Sequence, residues 1–169
     1  LLEGTEKQIE NYLLPTVRGE RTFSIAFTEP GAGSDAAAIT SRAIPSKHGW
    51  ILNGSKHFIS DGAYSDFFVV TAVTDPLSGT NGISTFIVEK GMPGFTVGRD
   101  QPMMGLKGTS HVEMQFDSVQ LGHEHLLGAE GQGLKLAFST LGRVRLAQVA
   151  ARAVGKATLV LDMCLDYVR

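Results

Sequence analysis

Apolar positions change their spacing twice along the chain, and the two changes divide it into three stretches. In the first, Ile9, Tyr12 and Leu13 recur at helical spacing. Thr5 followed three residues later by Gln8 makes a capping box, so the pattern predicts a short helix over Thr5–Arg18 that Pro15 and Gly19 bring to an end. From Arg21 to Leu121 the apolar runs become short and are separated by Gly, Pro, Asp, Ser and Asn, the texture of strands and turns. Trp50-Ile51-Leu52 runs into Asn53-Gly54, which predicts a hairpin pairing Gly49–Leu52 with Lys56–Ser60. Further strands are expected at Phe67–Val73, Ile83–Glu89, Phe95–Gly98 and Val112–Phe116, closing into an antiparallel barrel or sandwich.

Beyond Gly133 the spacing turns helical again. Leu134, Phe138, Leu141, Arg145, Gln148, Arg152, Gly155 and Leu159 follow steps of three or four without an intervening proline. A helix over Leu134–Arg169 would run for about 36 residues and about 54 Å, more than a small barrel covers. The expectation is of a piece of a larger protein, starting mid-helix at Leu1 and ending mid-helix at Arg169: a whole β domain with parts of two helical domains.

Composition narrows the function without naming it. With 169 residues, 43% hydrophobic and 19% charged, the chain has the makings of one ordinary globular core. Fifteen basic residues against seventeen acidic ones leave a formal charge of -2, and the Lys and Arg are scattered, which argues against a nucleic-acid surface. Cys164 is the single cysteine, so an internal disulfide and a cysteine-based zinc cluster are excluded and a reducing compartment is the simpler expectation. No apolar run approaches the roughly 18 residues of a membrane span, and no signal peptide opens the chain at Leu1. His123 and His125 flank Glu124; on an extended segment they would share a face, yet they remain a pair without a third ligand nearby. No metal is expected.

The segment carrying chemistry is Phe27–Asp35, FTEPGAGSD. Pro30-Gly31 alone makes an ordinary turn. Gly31 and Gly33 could adopt positive φ and let backbone approach a ligand, while Thr28 and Ser34 add hydroxyls that donate and accept. Glu29 and Asp35 read as turn caps bonding nearby amides. Neither GxxxxGK[ST] nor GxGxxG is present.

Taken with its context, this loop gives the chain a family resemblance. TEKQIENYLLPTVRGE, FTEPGAGSD, GWILNGSKHFISDG, GISTFIVEKGMPGF, PMMGLKGTSHVEMQFDSV, HLLGAEGQGLK and LGRVR follow in order, and the chain resembles the acyl-CoA dehydrogenase family of flavoproteins. The resemblance implies an α+β fold: the end of an N-terminal helical domain at 1–20, an antiparallel β-barrel middle domain at 21–130, and the first long helix of a C-terminal helical bundle at 131–169.

It also implies FAD as cofactor, held by Ile25, Ala26, Phe27, Thr28, Gly33 and Ser34 and by Phe58, Ile59 and Ser60. Thr28 would meet the pyrimidine end of the flavin, Ser34 the pyrophosphate and the bound thioester, Phe58 one face of the ring, and Ser60 the N5 atom. Many relatives carry Trp and Thr where this chain has Phe58 and Ser60, so the indole donor is lost while the apolar plate and the hydroxyl are kept. Ser34, Thr80, Gly142 and Arg145 are the implied substrate residues, although some relatives carry Asp where this chain has Gly142. Arg143 and Arg152 are expected on a solvated face.

A proton-abstracting glutamate is expected beyond Arg169, because Val144 occupies its other known position and Glu124 and Glu130 read as loop carboxylates. The implied activity is α,β-dehydrogenation of an acyl-CoA, as in β-oxidation of fatty acids, with electrons passed to an electron-transferring flavoprotein. An acyl-CoA oxidase, a flavin monooxygenase and a degenerate binding subunit are the alternatives. A homotetramer or dimer, in bacterial cytoplasm or mitochondrial matrix, completes what the resemblance implies.

Overall fold

The computed structural model describes residues 3–169, apart from the side chain of Arg143. The expected mid-helix start at Leu1 and the solvated side chain expected of Arg143 therefore lie outside the described residues. Two compact units are distinguished, one ending at Leu134 and the other spanning Lys135–Arg169.

The opening helical segment is built from α1 (Glu6–Gln8), a π-helical turn over Ile9–Leu13 and α2 (Leu14–Val17). Thr5 and Gln8 form the expected capping box, with Gln8 N–H donating to Thr5 Oγ1 and Thr5 N–H to Gln8 Oε1. Both Nε2 hydrogens of the buried Gln8 are also used, on the carbonyls of Glu124 and Leu126. Pro15 does not end the helix as expected. It sits in the first turn of α2, directly after the π-helical turn in which Leu14 N–H reaches Ile9 O, and widening a turn is one way a helix accommodates a proline. The end comes at Gly19, whose φ of 74° allows Glu20 N–H to reach Pro15 O and Gly19 N–H to reach Thr16 O.

An eight-stranded sheet follows. Its strands are β1 (Phe23–Ala26), β2 (Arg42–Ser46), β3 (Gly49–Ser60), β4 (Phe67–Val73), β5 (Ile83–Glu89), β6 (Phe95–Asp100), β7 (His111–Gly122) and β8 (Leu126–Leu127). The order is β6-β7-β3-β2-β4-β5-β8, with β1 paired to β4 off this path. The expected α+β class holds, but "barrel" describes the sheet loosely, because the ladder is not closed. Nor is it wholly antiparallel: β1 pairs in parallel with Phe67–Val70 of β4, and β2 touches the same strand in parallel only at Val73. The chain leaves β4 after Ala26 and returns at Arg42, so two short strands share one edge.

The hairpin predicted at Asn53-Gly54 is absent. Gly49–Ser60 is one continuous strand, and the chain reverses instead at Lys47-His48, between the paired residues Ser46 and Gly49. Asn53-Gly54 marks a bulge in which Asn53 stands opposite both Asp117 and Ser118. Asn53 Oδ1 accepts from Ser118 N–H at 2.8 Å, and Gly54 has a φ of 141°, with Ser41 close against it. The chemistry that usually makes a turn here lets two strands pass closely.

The main core lies on one face of the sheet and includes Trp50, Leu52, Phe68, Phe86, Met114 and Phe116. A smaller cluster of Ala32, Ile39, Ile83 and Leu134 lies beneath the Gly-rich loop. The second unit is the main part of α3 (Gly133–Tyr167), 35 residues and about 52 Å long. Its side chains from Val144 onward are exposed, with Leu146, Val149 and Leu159 among them.

A Cβ at Gly54 would lie 2.4 Å from Ser41 Oγ and 2.6 Å from Ser41 Cα, on a backbone that L side chains avoid. Gly54→Ala is therefore expected to destabilise the fold by roughly 2–3 kcal/mol. Urea unfolding would check this, and an unchanged midpoint would contradict the close approach.

Candidate functional site

The alternation along β1 turns Ser24 and Ala26 inward and Phe23 and Ile25 outward. After it, Pro30 and Gly31 reverse the chain in a turn closed by two hydrogen bonds, Glu29 N–H to Ala32 O and Ala32 N–H to Glu29 O, each 3.1 Å. Neither Gly31 nor Gly33 takes the left-handed φ that the sequence allowed. Proline followed by an ordinary turn suffices once the reciprocal pair closes it. Asp35 behaves as expected, its carboxylate accepting from Ala37 N–H at 3.2 Å.

Glu29 does more than cap. Its buried carboxylate accepts from Thr40 N–H (2.6 Å), Thr40 Oγ1 (2.8 Å) and Ser41 N–H (3.1 Å), and it pairs with Lys56 Nζ at 2.8 Å. Lys56 is equally buried and donates to Glu29 Oε1, Phe27 O and Thr71 Oγ1, which uses all three ammonium hydrogens. Only a carboxylate can take that set of donors and only an ammonium can fill that set of acceptors, so the pair is ionised. Burial alone would raise the Glu29 carboxyl. The Lys56 charge and the hydrogen bonds from Lys56, Ser41 and Thr40 together outweigh it and hold the group at about 2. Burial pulls the Lys56 ammonium below its ordinary value while Glu29 pushes back.

Two further contacts bring the second candidate segment alongside the first. His57 N–H donates to Thr28 O at 2.8 Å, and Ser24 Oγ donates to Ser60 O at 2.6 Å. Residues 24–28 and 57–60 therefore run past each other in opposite directions. Between them lies a second bulge: Lys56 pairs with Met114 and Ile59 with Val112, leaving His57 and Phe58 opposite Glu113 alone. The extra residue changes the phase of the strand. Lys56 and Ile59 both face the core, three residues apart, and Ser60 is thrown outward. Phe58 takes a φ of 56° and is 47% exposed, unusual on both counts for an aromatic residue in a strand.

The candidate cofactor residues thus fall into two groups. Ile25, Phe58, Ser60, Gly33 and Ser34 are exposed and Phe27 and Thr28 half-buried, whereas Ala26 and Ile59 belong to the core, so a ligand could reach them only through their backbone. The donor set on this face is neutral: hydroxyls at Thr28, Ser34 and Ser60, beside the apolar surfaces of Ile25 and Phe58. This is chemistry that fits a flat, partly apolar ring with hydrogen-bonding edges. Thr80 is exposed in the 3-10 turn Gly79–Gly82 that connects β4 to β5. Gly142 and Arg145 belong to α3 in the second unit, half-buried and exposed respectively.

His123 and His125 are not on an extended segment as expected. They lie in a 3-10 turn and do different work: His123 meets Trp50 edge to face at 5.2 Å, and His125 Nδ1 accepts from Gly122 N–H. Sequence reasoning missed Lys56, His57 and Glu113. Lys56 was findable, since Trp50, Leu52 and Lys56 share one phase of β3 and a lysine in a core phase asks for a buried anion.

Residues 24–119 match the family model described as acyl-CoA dehydrogenase, middle domain. The chain is 40% identical to the short-chain-specific acyl-CoA dehydrogenase of Clostridium acetobutylicum over 166 residues, covering 98% of this chain and 44% of that protein. The solved butyryl-CoA dehydrogenase from Megasphaera elsdenii is similar with a TM-score of 0.81 and 41% identity, over 83% of this chain and 37% of that one. The FAD complex of PigA is similar with a TM-score of 0.80 and 34% identity over the same shares. The chain spans less than half the length of the curated relatives it matches.

Removing one partner of the buried pair leaves a charge stranded. Lys56→Met is expected to cost about 3–5 kcal/mol, and adding Glu29→Gln to it to recover most of that loss. Guanidinium unfolding of the two variants checks this; a double variant as unstable as the single one would refute it. The Glu29 carboxyl falls from its usual 4.5 to about 2 on folding. Its contribution to stability is accordingly complete above the usual value and lost as pH drops from about 4.5 toward 2. Thermal unfolding across that range should show a steeper decline in wild type than in the double variant.

Proposed function

The chain belongs to the acyl-CoA dehydrogenase family, and from that membership we propose that it supplies one wall of an FAD and acyl-CoA site in an oxidoreductase that introduces an α,β double bond into acyl-CoA thioesters. The observation that carries this reading is the 2.8 Å bond from His57 N–H to Thr28 O, which sets both candidate segments side by side with Ile25, Phe58 and Ser60 outward. In this reading Phe58 and Ile25 give the apolar plate on which the ring rests. The Thr28 hydroxyl and the backbone around it address the pyrimidine edge, and the Ser60 hydroxyl addresses N5. Ser34 lies toward the pyrophosphate and the thioester. FAD held on this wall would supply two-electron acceptance, so that the β hydrogen could leave as hydride and the α hydrogen as a proton.

The proton needs a base, and Glu29 is unsuited to be one. It is ion-paired with Lys56 and held at about 2, whereas abstraction next to a thioester calls for a shielded carboxylate with a raised value. Glu124 and Glu130 are exposed, and Val144 has no proton-accepting group. The reading therefore assigns the base to a residue outside these 169. Thr80, Gly142 and Arg145 are its substrate residues, an electron-transferring flavoprotein is its electron acceptor, and a homo-oligomer is the working assembly.

The 169-residue chain is expected to bind FAD weakly, since the proposed wall contacts the ring and phosphates but not the adenosine. Thr28→Val and Ser60→Ala each remove one neutral hydrogen bond and should weaken FAD binding by roughly two- to twelvefold. Stability should change little in either variant. Flavin fluorescence titration and urea unfolding measure the two effects; unchanged affinity in both variants would overturn the proposed face.

A further inference from the structure

We infer that Glu113 is a positioning residue for the flavin-facing plate: from β7 it holds the His57 imidazole against Phe58 and so fixes the left-handed bulge that turns Phe58 and Ser60 outward. Its role toward flavin rests on the reading proposed above; its role in the bulge stands on geometry alone.

Glu113 faces a bulge on each side. On β3 it is the single residue opposite His57 and Phe58. On β6, Val97 pairs with Met114 and Asp100 with Val112, so Glu113 is again the single residue opposite Gly98 and Arg99. No other residue of β7 stands between two such irregularities in the described pairings. Its carboxylate is oriented by Gln101, whose Nε2 donates to Oε1 at 2.7 Å. The same oxygen lies 3.4 Å from His57 Nε2. That nitrogen is buried and makes no hydrogen bond, so Glu113 is the acceptor within its reach. The His57 ring in turn lies against the Phe58 ring, 4.1 Å between centroids and tilted by 37°. The chain of contact is complete from Gln101 through Glu113 and His57 to Phe58.

The other β3–β7 bulge supplies a comparison within the same molecule. There the single opposing residue, Asn53, faces Asp117 and Ser118, and Ser118 has a φ of 56°, the same value as Phe58. Asn53 holds that bulge directly, through its bond to Ser118 N–H. A left-handed non-glycine residue is strained and persists only where its surroundings hold it. At Ser118 the hold is a bond to backbone. At Phe58 no side chain bonds the backbone amide among the described residues, and the hold runs from side chain to side chain, Glu113 to His57 to Phe58.

The two bulges give the test its internal control. In the wild-type chain, NMR should show the strong intraresidue Hα–HN contact of a left-handed residue at both Phe58 and Ser118. In Glu113→Ala that signal and the His57–Phe58 ring contacts should be lost at Phe58 and kept at Ser118; Asn53→Ala should do the reverse. Glu113→Gln, whose side-chain oxygen can take the same place 3.4 Å from His57 Nε2, should keep the wild-type pattern. Should Glu113→Ala fail to fold, His57→Leu removes the relay without stranding a charge, and the same signals decide. Phe58 unchanged on loss of Glu113 or His57, or Ser118 moving together with it, would overturn the inference. Added FAD should shift the amides of Thr28, Phe58 and Ser60 in wild type, with the shifts at Phe58 and Ser60 lost in Glu113→Ala. No shift at these amides in wild type would sink the flavin reading, leaving the bulge contacts to be judged by the first experiment.

Discussion

The buried pair of Glu29 and Lys56 is the constraint on which the candidate site depends. Four segments meet in it: the Gly-rich loop through Glu29, the entry to β2 through the amides of Thr40 and Ser41, β3 through Lys56, and β4 through Thr71. Lys56 also binds the carbonyl of Phe27, the residue before Thr28. A Gly-rich loop left to itself would sample many conformations at little cost. Here it is pinned at its start by an ammonium and at Ala32 by a small apolar cluster. The pair contributes little net stability compared with an apolar replacement of similar volume. Its value lies in direction, since only one arrangement satisfies three ammonium hydrogens and the carboxylate together.

Position alone does not make a binding face; side chains must also point outward. β3 would by simple alternation put Phe58 and Ser60 in the same phase as Lys56, inside the sheet. One extra residue at His57-Phe58 reverses that, placing Ile59 in the core and Ser60 on the surface. The bulge and the ion pair are adjacent in sequence and complementary in effect. Lys56 fixes where the strand lies against the loop, and the next two residues decide which face it presents.

Much of this was legible in the sequence, and what was not has a physical reason. β4 and β5 have the bounds that the apolar runs predicted, because both are central strands whose burial leaves an unbroken signal. The capping box at Thr5 and Gln8 is local and was equally readable. The Asn53-Gly54 hairpin misled because the same residues serve a bulge as well as a turn, and only the partner strand distinguishes them. Glu29 was read as a cap on nearby amides, which it is. Its larger role needed Lys56, 27 positions away, and pairings at that distance leave no periodic trace. Phe58 and Ser60 were singled out by family resemblance, whereas alternation along β3 would have buried both.

The ion pair at the loop is buried, and the side-chain donors on the exposed face are neutral hydroxyls. The two buried charges at the loop, Glu29 and Lys56, cancel each other within the protein, while hydroxyls, backbone groups and an aromatic ring face out beside the exposed carboxylate of Asp35. A bound group that gains negative charge during its reaction is best served by donors already fixed in place, because fixed dipoles need no reorganisation when the charge arrives. A lysine at the surface would bias the site toward the charged state before reaction, while freely rotating hydroxyls would offer too little. Hydroxyls on a backbone held by a buried ion pair lie between those limits. The same separation explains why Glu29, though close to the site, is withdrawn from acid–base chemistry: a carboxylate committed to Lys56 holds the loop in place and cannot also take a proton from a substrate.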